Sequence, residues 1–279
     1  MKALQPRRRQ LLATAAASLV TGMPGFASAQ DKPLVIAINE GVTYAGTSTP
    51  FTERFHEVSE DLQKLVKRPV KFVPVTDYRQ LAGGLAEQQY DVAWVHPAHH
   101  AIHAMNASGY KLLALTKGYT EYRVSFFVPP NSSIRSLADL KTAKIGAPAE
   151  DSITSVIARA TLTEANGQLP AISYVKYQEA VPFMVENGMA QAGVSASSSV
   201  VKTWQDKGGK VVASSRPVPI KQLIASPRLP PAQMAELRRW FLDLDKTEAG
   251  KHRLVAFGVT GFEEFDQNLL AGIGKWLGA

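Results

Sequence analysis

Three short apolar runs, each separated from the next by a segment of helical period, constrain this chain most. Leu34-Val35-Ile36-Ala37-Ile38 is a continuous apolar run rich in β-branched residues, followed by the turn-forming "NEGVTYAGTSTP". It reads as a strand buried on both faces that runs into a loop. Pro50 opens "PFTERFHEVSEDLQKLVK", in which Phe51, Phe55, Val58, Leu62, Leu65 and Val66 recur at helical spacing. "VKFVPV" is a second strand, "DYRQLAGGLAEQ" a helix with Asp77 as its N-cap, and "YDVAWV" a third strand. Strands that alternate with helices demand right-handed crossovers on a mostly parallel sheet. In such sheets ligands sit beyond the carboxyl ends of the strands. The loops starting at Asn39, near Thr76 and at His96 all leave such ends.

The alternation pauses in "KLLALTKGYTEYRVSFFVPP", an extended stretch, and resumes in "SSIRSLADLKTAKIGAPAEDSITSVIARATLTEANG". There Ser136 is read as the cap of a short helix, "KIGAP" as a strand, and Ser152 or Thr154 as the start of a helix ending near Gly167. "ISYVKY", the helical "QEAVPFMVENG" and the strand "AQAGVSA" complete a second α/β unit. "VVASSRPVPIKQLIAS" is extended again, "PPAQMAELRRWFLDL" is an amphipathic helix, and the remainder reads as short helices and turns. The expected fold class is α/β with two lobes, two extended hinge crossings near residues 119–128 and 193–225, and a ligand cleft between the lobes. The expected division is 30–120 plus 217–279 for lobe 1 and 121–216 for lobe 2.

Residues 1–29 carry Lys2, Arg7, Arg8 and Arg9, an apolar run from Leu11 to Val20, and the small residues Ala27-Ser28-Ala29. That order is expected of a cleaved secretory signal, and Arg8-Arg9 suits the twin-arginine route. The apolar run is too short to span a bilayer. With no cysteine in the chain, an oxidising compartment imposes no disulfide framework. The expected location is the periplasm. Losing the four basic residues of the leader lowers the net charge from +7 to +3, too mild a surplus for a nucleic-acid partner and compatible with a small anionic ligand.

Four of the six histidines, His96, His99, His100 and His103, lie in "WVHPAHHAIHAM". On a helix they share one side. Pro97 is placed as the first helical residue, with His96 as the cap and His99 and His100 in the first turn. Two readings follow. His96 with His100, or His99 with His103, could pair on a transition metal such as zinc, although the segment offers no acidic or cysteine partner. Alternatively, neutral imidazoles of His96 and His99 donate N–H groups to an anion in the cleft. Tyr44, in a glycine-rich loop without apolar periodicity, is a further ligand candidate.

In order and spacing, "VTDYRQLAGGLAEQQYDVAWVHPAHHA", "SSIRSLADLKTAKIGAPAEDSITS", "AVPFMVENGMAQAGVSA" and "RPVPI" resemble the phosphate, phosphite and phosphonate solute-binding proteins of ABC transporters, of the type II periplasmic binding-protein fold. The resemblance implies two lobes closing on an oxyanion, with the helix start at Ser152, Thr154 and Ser155 supplying hydroxyls and backbone amides; a helix N-terminus suits such an anion. Where the family often has a His-Asp pair, this chain has Tyr177 and Gln178. Tyr177 can donate through its hydroxyl and cover an apolar substituent. Where relatives that bind aminoalkyl phosphonates carry an acid, this chain has Gln191, so an ammonium-bearing ligand lacks its expected counter-ion. The ligand is then a simpler phosphonate, phosphite, phosphate, another oxyanion or a small polar organic molecule.

Enzyme chemistry has little support. "GVSAS" lacks the closing glycine of a nucleophile elbow, and "GIGKWLG" lacks the spacing of a phosphate loop. No cofactor is expected. The expected partner is an ABC permease or a membrane sensor kinase, and the expected state is a monomer.

Overall fold

The computed structural model describes residues 32–40 and 50–279. The leader and Tyr44 therefore lie outside the described residues. No helix among the described residues is long and apolar enough to cross a membrane.

The first lobe begins with β1 (Leu34–Ile38), the short helix α1 (Phe51–Arg54), α2 (His56–Val66), β2 (Val70–Pro74), α3 (Tyr78–Ala86), β3 (Val92–Val95), α4 (Ala98–Ser108) and β4 (Lys111–Thr116). The second lobe contains β5 (Ser125–Val128), β6 (Ile145–Ala147), α5 (Ile153–Asn166), β7 (Ile172–Tyr174), α6 (Val181–Glu186), β8 (Ala192–Ser195), α7 (Ser198–Asp206) and β9 (Lys210–Ser214). The chain then returns to the first sheet with β10 (Gln222–Ala225), α8 (Pro231–Asp243), α9 (Glu248–Leu254), β11 (Phe262–Glu263) and α10 (Gln267–Leu277).

The strand order is β11-β4-β10-β3-β1-β2 in one sheet and β7-β6-β8-β5-β9 in the other. β1 pairs in parallel with β2 and β3, and β6 in parallel with β7 and β8. The returning strand β10 is antiparallel to β3 and β4, and β5 is antiparallel to β8 and β9. The parallel strands of each sheet thus send their carboxyl-end loops to one edge.

Burial on both faces explains the unbroken apolar runs. In β3, Trp94 packs with Phe55, Phe241 and Phe257 on one side of the sheet, while Ala93 and Val95 pack with Leu81, Leu85 and Tyr110 on the other. Each such fully buried large side chain contributes about 1.5–3 kcal/mol relative to exposure. Asp77 caps α3 by accepting from Gln80 N at 2.8 Å. Ser152 caps α5, and Gly167, at φ +70°, closes it in the left-handed conformation.

Two segments link the sheets, residues 117–124 and 215–221. They run side by side, with an antiparallel bridge between Tyr122 and Val218 and backbone bonds from Val218 N to Tyr122 O and from Ile220 N to Tyr119 O, both 2.9 Å.

Three local readings are corrected. Pro97 is the N-cap of α4 in an extended conformation, so the helix starts at Ala98 and His96 lies one residue before the cap. Ser136 does not cap a helix; its Oγ and N donate to the Asp139 carboxylate, each at 3.0 Å, ahead of a 3-10 turn at Ala138–Thr142. The C-terminal region also contributes the edge strand β11, whose two residues are too few to show a period.

Candidate functional site

On the first lobe, the loops leaving β1 and β3 meet through backbone bonds from Asn39 N to Trp94 O at 2.9 Å and from His96 N to Asn39 O at 3.2 Å. The Asn39 side chain is 1% exposed and donates from Nδ2 to Val75 O at 2.6 Å, which ties in the loop after β2. Its Oδ1 is buried without a hydrogen-bond partner among the described residues.

His96 is buried, and its Nδ1 lies 3.1 Å from Ile220 O on the second crossing. A carbonyl only accepts, so Nδ1 carries the proton and Nε2 keeps a lone pair. Burial lowers the His96 pKa to about 4; the Ile220 contact opposes this shift, and the nearby Lys221 ammonium reinforces it. The ring is neutral at physiological pH, and its N–H is committed to the protein, which changes the expected donor into an acceptor.

His99 and His100 follow at the first turn of α4, their rings tilted against each other with centroids 4.3 Å apart. His99 Nδ1 and His100 Nε2 are buried without hydrogen-bond partners among the described residues. Burial first, then the repulsion that a second charge would meet beside His100, Arg159 and His96, hold His99 at about 3. Burial also lowers His100, with Asp151 opposing it. Arg159 and Asp151 belong to the second lobe, so both imidazoles sense charge across the cleft. His100 packs on Tyr78, and His103 is exposed on the lobe surface. Among the described residues no three His, Asp or Glu side chains form a group fit to hold a metal ion.

The facing wall is the start of α5. Ser152 Oγ accepts from Ser155 N at 3.3 Å, and Ser155 Oγ donates to Pro148 O at 2.9 Å. Thr154 and Ser155 are both 1% exposed, and Thr154 Oγ1 lies 2.7 Å from the Tyr122 hydroxyl on the first crossing. The structure therefore holds the Thr154 hydroxyl against a hinge residue and turns the Ser155 hydroxyl into the loop before α5. Ser152 remains partly exposed at the helix mouth.

Tyr177 is 49% exposed beyond the carboxyl end of β7, with Lys176 Nζ 5.1 Å from its ring centroid. It is not on the edge strand. Its neighbour Gln178 organises this end of the lobe: Oε1 accepts from Ser195 Oγ at 2.9 Å, Ala196 N at 2.6 Å and Ser197 N at 3.2 Å. Gln191, by contrast, lies at the amino end of β8 and accepts from Lys144 N at 2.9 Å. It is remote from the cleft, so its identity says nothing about a ligand ammonium.

The sequence reading gave no role to Tyr122 or Lys221, and named Asn39 only as the start of a loop and Gln178 only as a departure from the family pattern. Asn39 alone carried a local signal, as the first polar residue after a buried strand. The others take their places through contacts between distant segments.

The comparisons agree with this architecture. The family model described as "ABC transporter, phosphonate, periplasmic substrate-binding protein" matches residues 41–270. No curated protein sequence matches the chain. A Xanthomonas citri protein solved with ATP is similar in fold, with a TM-score of 0.69 at 16% identity over 88% of this chain and 97% of that one. PhnD1 of Prochlorococcus marinus, solved in complex with methylphosphonate, gives 0.61 at 17% identity over the same shares. A binding-protein component of an ABC phosphonate transporter from Pseudomonas aeruginosa gives 0.55 at 18% identity over 88% and 86%. With a two-lobed type II fold and a family match over most of its length, the chain belongs to the phosphonate-binding family of periplasmic ABC-transporter substrate-binding proteins, which bind small ligands for permeases and are not enzymes.

Proposed function

We propose that the protein captures a small oxyanion, a phosphonate, phosphite or phosphate, in the cleft between α4 and α5 and delivers it to an ABC permease. The observation that carries this reading is the pair of buried imidazole nitrogens, His99 Nδ1 and His100 Nε2, without partners among the described residues where α4 faces the second lobe. Buried polar atoms without partners are costly and rare in folded proteins. In its N–H tautomer, His99 offers an anion a donor without bringing its own charge. The Ser152 hydroxyl and the first N–H groups of α5 supply donors from the opposite wall. Tyr44 and Tyr177 complete the proposed set, Tyr177 as a cover over an apolar substituent. Ser155 contributes its backbone N–H, and Thr154 couples the wall to the hinge through Tyr122.

Closure about the crossings at residues 117–124 and 215–221 would bring the two walls onto the ligand, so contacts made only in the closed form select that form. The same proposal has the leader at residues 1–29 export the protein by its Arg8-Arg9 pair and has the mature protein act as a monomer. The fold similarity to the methylphosphonate-bound Prochlorococcus protein supports the ligand class. Calorimetry against phosphate, phosphite, methylphosphonate, sulfate and Zn²⁺ tests the proposal. At least one phosphorus oxyanion should bind in competition with the others, and binding of zinc alone, abolished by His96→Ala or His100→Ala, would refute it.

A further inference from the structure

The residues assigned to the ligand so far bring no full positive charge. His99 is neutral at physiological pH, as is His96 behind it, and helix N-termini contribute partial charge only. A deeply enclosed anion needs more, because a charge removed from water must be matched by another.

Lys221 lies where such a match is needed. It is the last residue of the second crossing, immediately before β10, and is only 5% exposed. Its ammonium lies 4.1 Å from the ring centroid of Tyr119 and 4.9 Å from that of Trp94. Trp94 and His96 are two residues apart at the end of β3, and the Lys221 charge is felt at His96. Glu40, which follows Asn39 in the loop after β1, favours the charged lysine and is itself paired with Arg54 at 3.0 Å. Lys221 thus projects over the carboxyl end of the first sheet, between the hinge and the loops that floor the cleft.

Burial makes this lysine expensive, and packing alone does not call for it. The aliphatic stem could be replaced by methionine with little change of volume, while the two aromatic faces stabilise a cation specifically. Burial lowers its pKa to about 8, so it remains mostly charged at neutral pH.

We infer that Lys221 is the specificity-determining cation of this binding protein, supplying the positive charge on the cleft floor that selects an oxyanion over a neutral solute. This rests on the oxyanion reading of the cleft. The test is calorimetry of purified wild-type protein and Lys221→Met against methylphosphonate, phosphite and phosphate, with thermal unfolding as a check of fold. The variant should unfold cooperatively and bind the preferred oxyanion at least about tenfold more weakly, the scale of a lost charge-assisted contact.

A folded Lys221→Met that binds within twofold of wild type would overturn the inference and leave the oxyanion reading intact. Wild-type protein that binds none of the three anions would remove both. If the variant does not fold, the wild-type protein labelled with ¹⁵N-lysine decides: the Lys221 ammonium resonance should move on saturation with the oxyanion, and an unmoved resonance overturns the inference.

Discussion

Acid should loosen this protein through His96, by an amount that one substitution isolates. In the unfolded chain the imidazole titrates near 6.5, whereas in the fold burial holds it to about 4. The folded pKa lies below the unfolded one, so between those values the unfolded chain binds one more proton than the folded chain. Stability is then fully present above pH 6.5 and falls by about 1.4 kcal/mol for each pH unit below it. Over the whole window His96 removes about 3 kcal/mol, a large share of the ~5–15 kcal/mol that holds a typical domain together. Asparagine is the appropriate replacement, because its amide Nδ2 can occupy the place of the ring Nδ1 and keep the donation to Ile220 O. Urea unfolding of wild type and His96→Asn at intervals between pH 7 and pH 4 supplies the measurement. His99 titrates in both proteins, and since His96 is the smallest of the causes that hold it down, most of its contribution cancels in the difference. The stability gap between wild type and variant should shift by about 3 kcal/mol in favour of the variant as pH falls. A gap that stays constant across the window would refute the assignment of His96 as a buried neutral imidazole.

The walls of the cleft offer further tests. Ser152→Ala removes the cap of α5 and should cost about 1 kcal/mol in denaturant unfolding, with weaker oxyanion binding beside it; unchanged values for both would remove Ser152 from the site. Gly193→Ala would place a Cβ 2.5 Å from the buried Phe127 ring and 2.9 Å from Val181, so the second lobe should lose about 1–3 kcal/mol through overpacking, read as a lowered melting temperature. Tyr122→Phe deletes the hydroxyl that meets Thr154 Oγ1 at 2.7 Å. It should weaken ligand binding several-fold with little change in thermal stability if Thr154 couples the wall to the hinge.

The parallel half of each sheet was legible because its signals are local. Leu34–Ile38 and Val92–Val95 are apolar throughout because both faces are covered, and Asp77, Ser152 and Gly167 mark helix ends by their own chemistry. The site was legible only in outline. His96 follows a strand and His99 lies in the first turn of the next helix, which places both at the carboxyl edge of the sheet. Whether an imidazole nitrogen donates or accepts depends on Ile220, 124 residues away in the chain. Lys221 read as one polar residue in an extended segment, and only the folding of residues 119 and 94 against it reveals a buried cation. Gln191 misled for the opposite reason: its position in a motif suggested chemistry, while its place at the amino end of β8 gives it a backbone to bind.

The two lobes are joined by more than the two crossings, and this bears on how the cleft can close. Ala98 and Ile102 of α4 and Leu270 of α10 belong to the same apolar cluster as Ile153, Ile157 and Leu162 of α5. On α10, Ile273, Trp276 and Leu277 pack against that cluster, and Gly274 admits Ile102 so closely that a Cβ there would lie 2.3 Å from its side chain. Polar contacts fasten the helix to both sides: Asn106 Nδ2 donates to the carbonyl of Ala279 at 3.1 Å, and Trp276 Nε1 donates to Glu164 at 3.0 Å. Arg216, on the second crossing, stacks 3.8 Å from the Trp276 ring centroid. Interiors packed this densely resist gradual deformation and move as bodies. A rotation that keeps the seam intact must therefore pivot near α10 and the crossings, where Tyr122 and Lys221 lie. Under the proposed function, the residues assigned to the ligand and those that would permit the motion are then close neighbours, an arrangement that would let a small anion bias the position of two whole lobes.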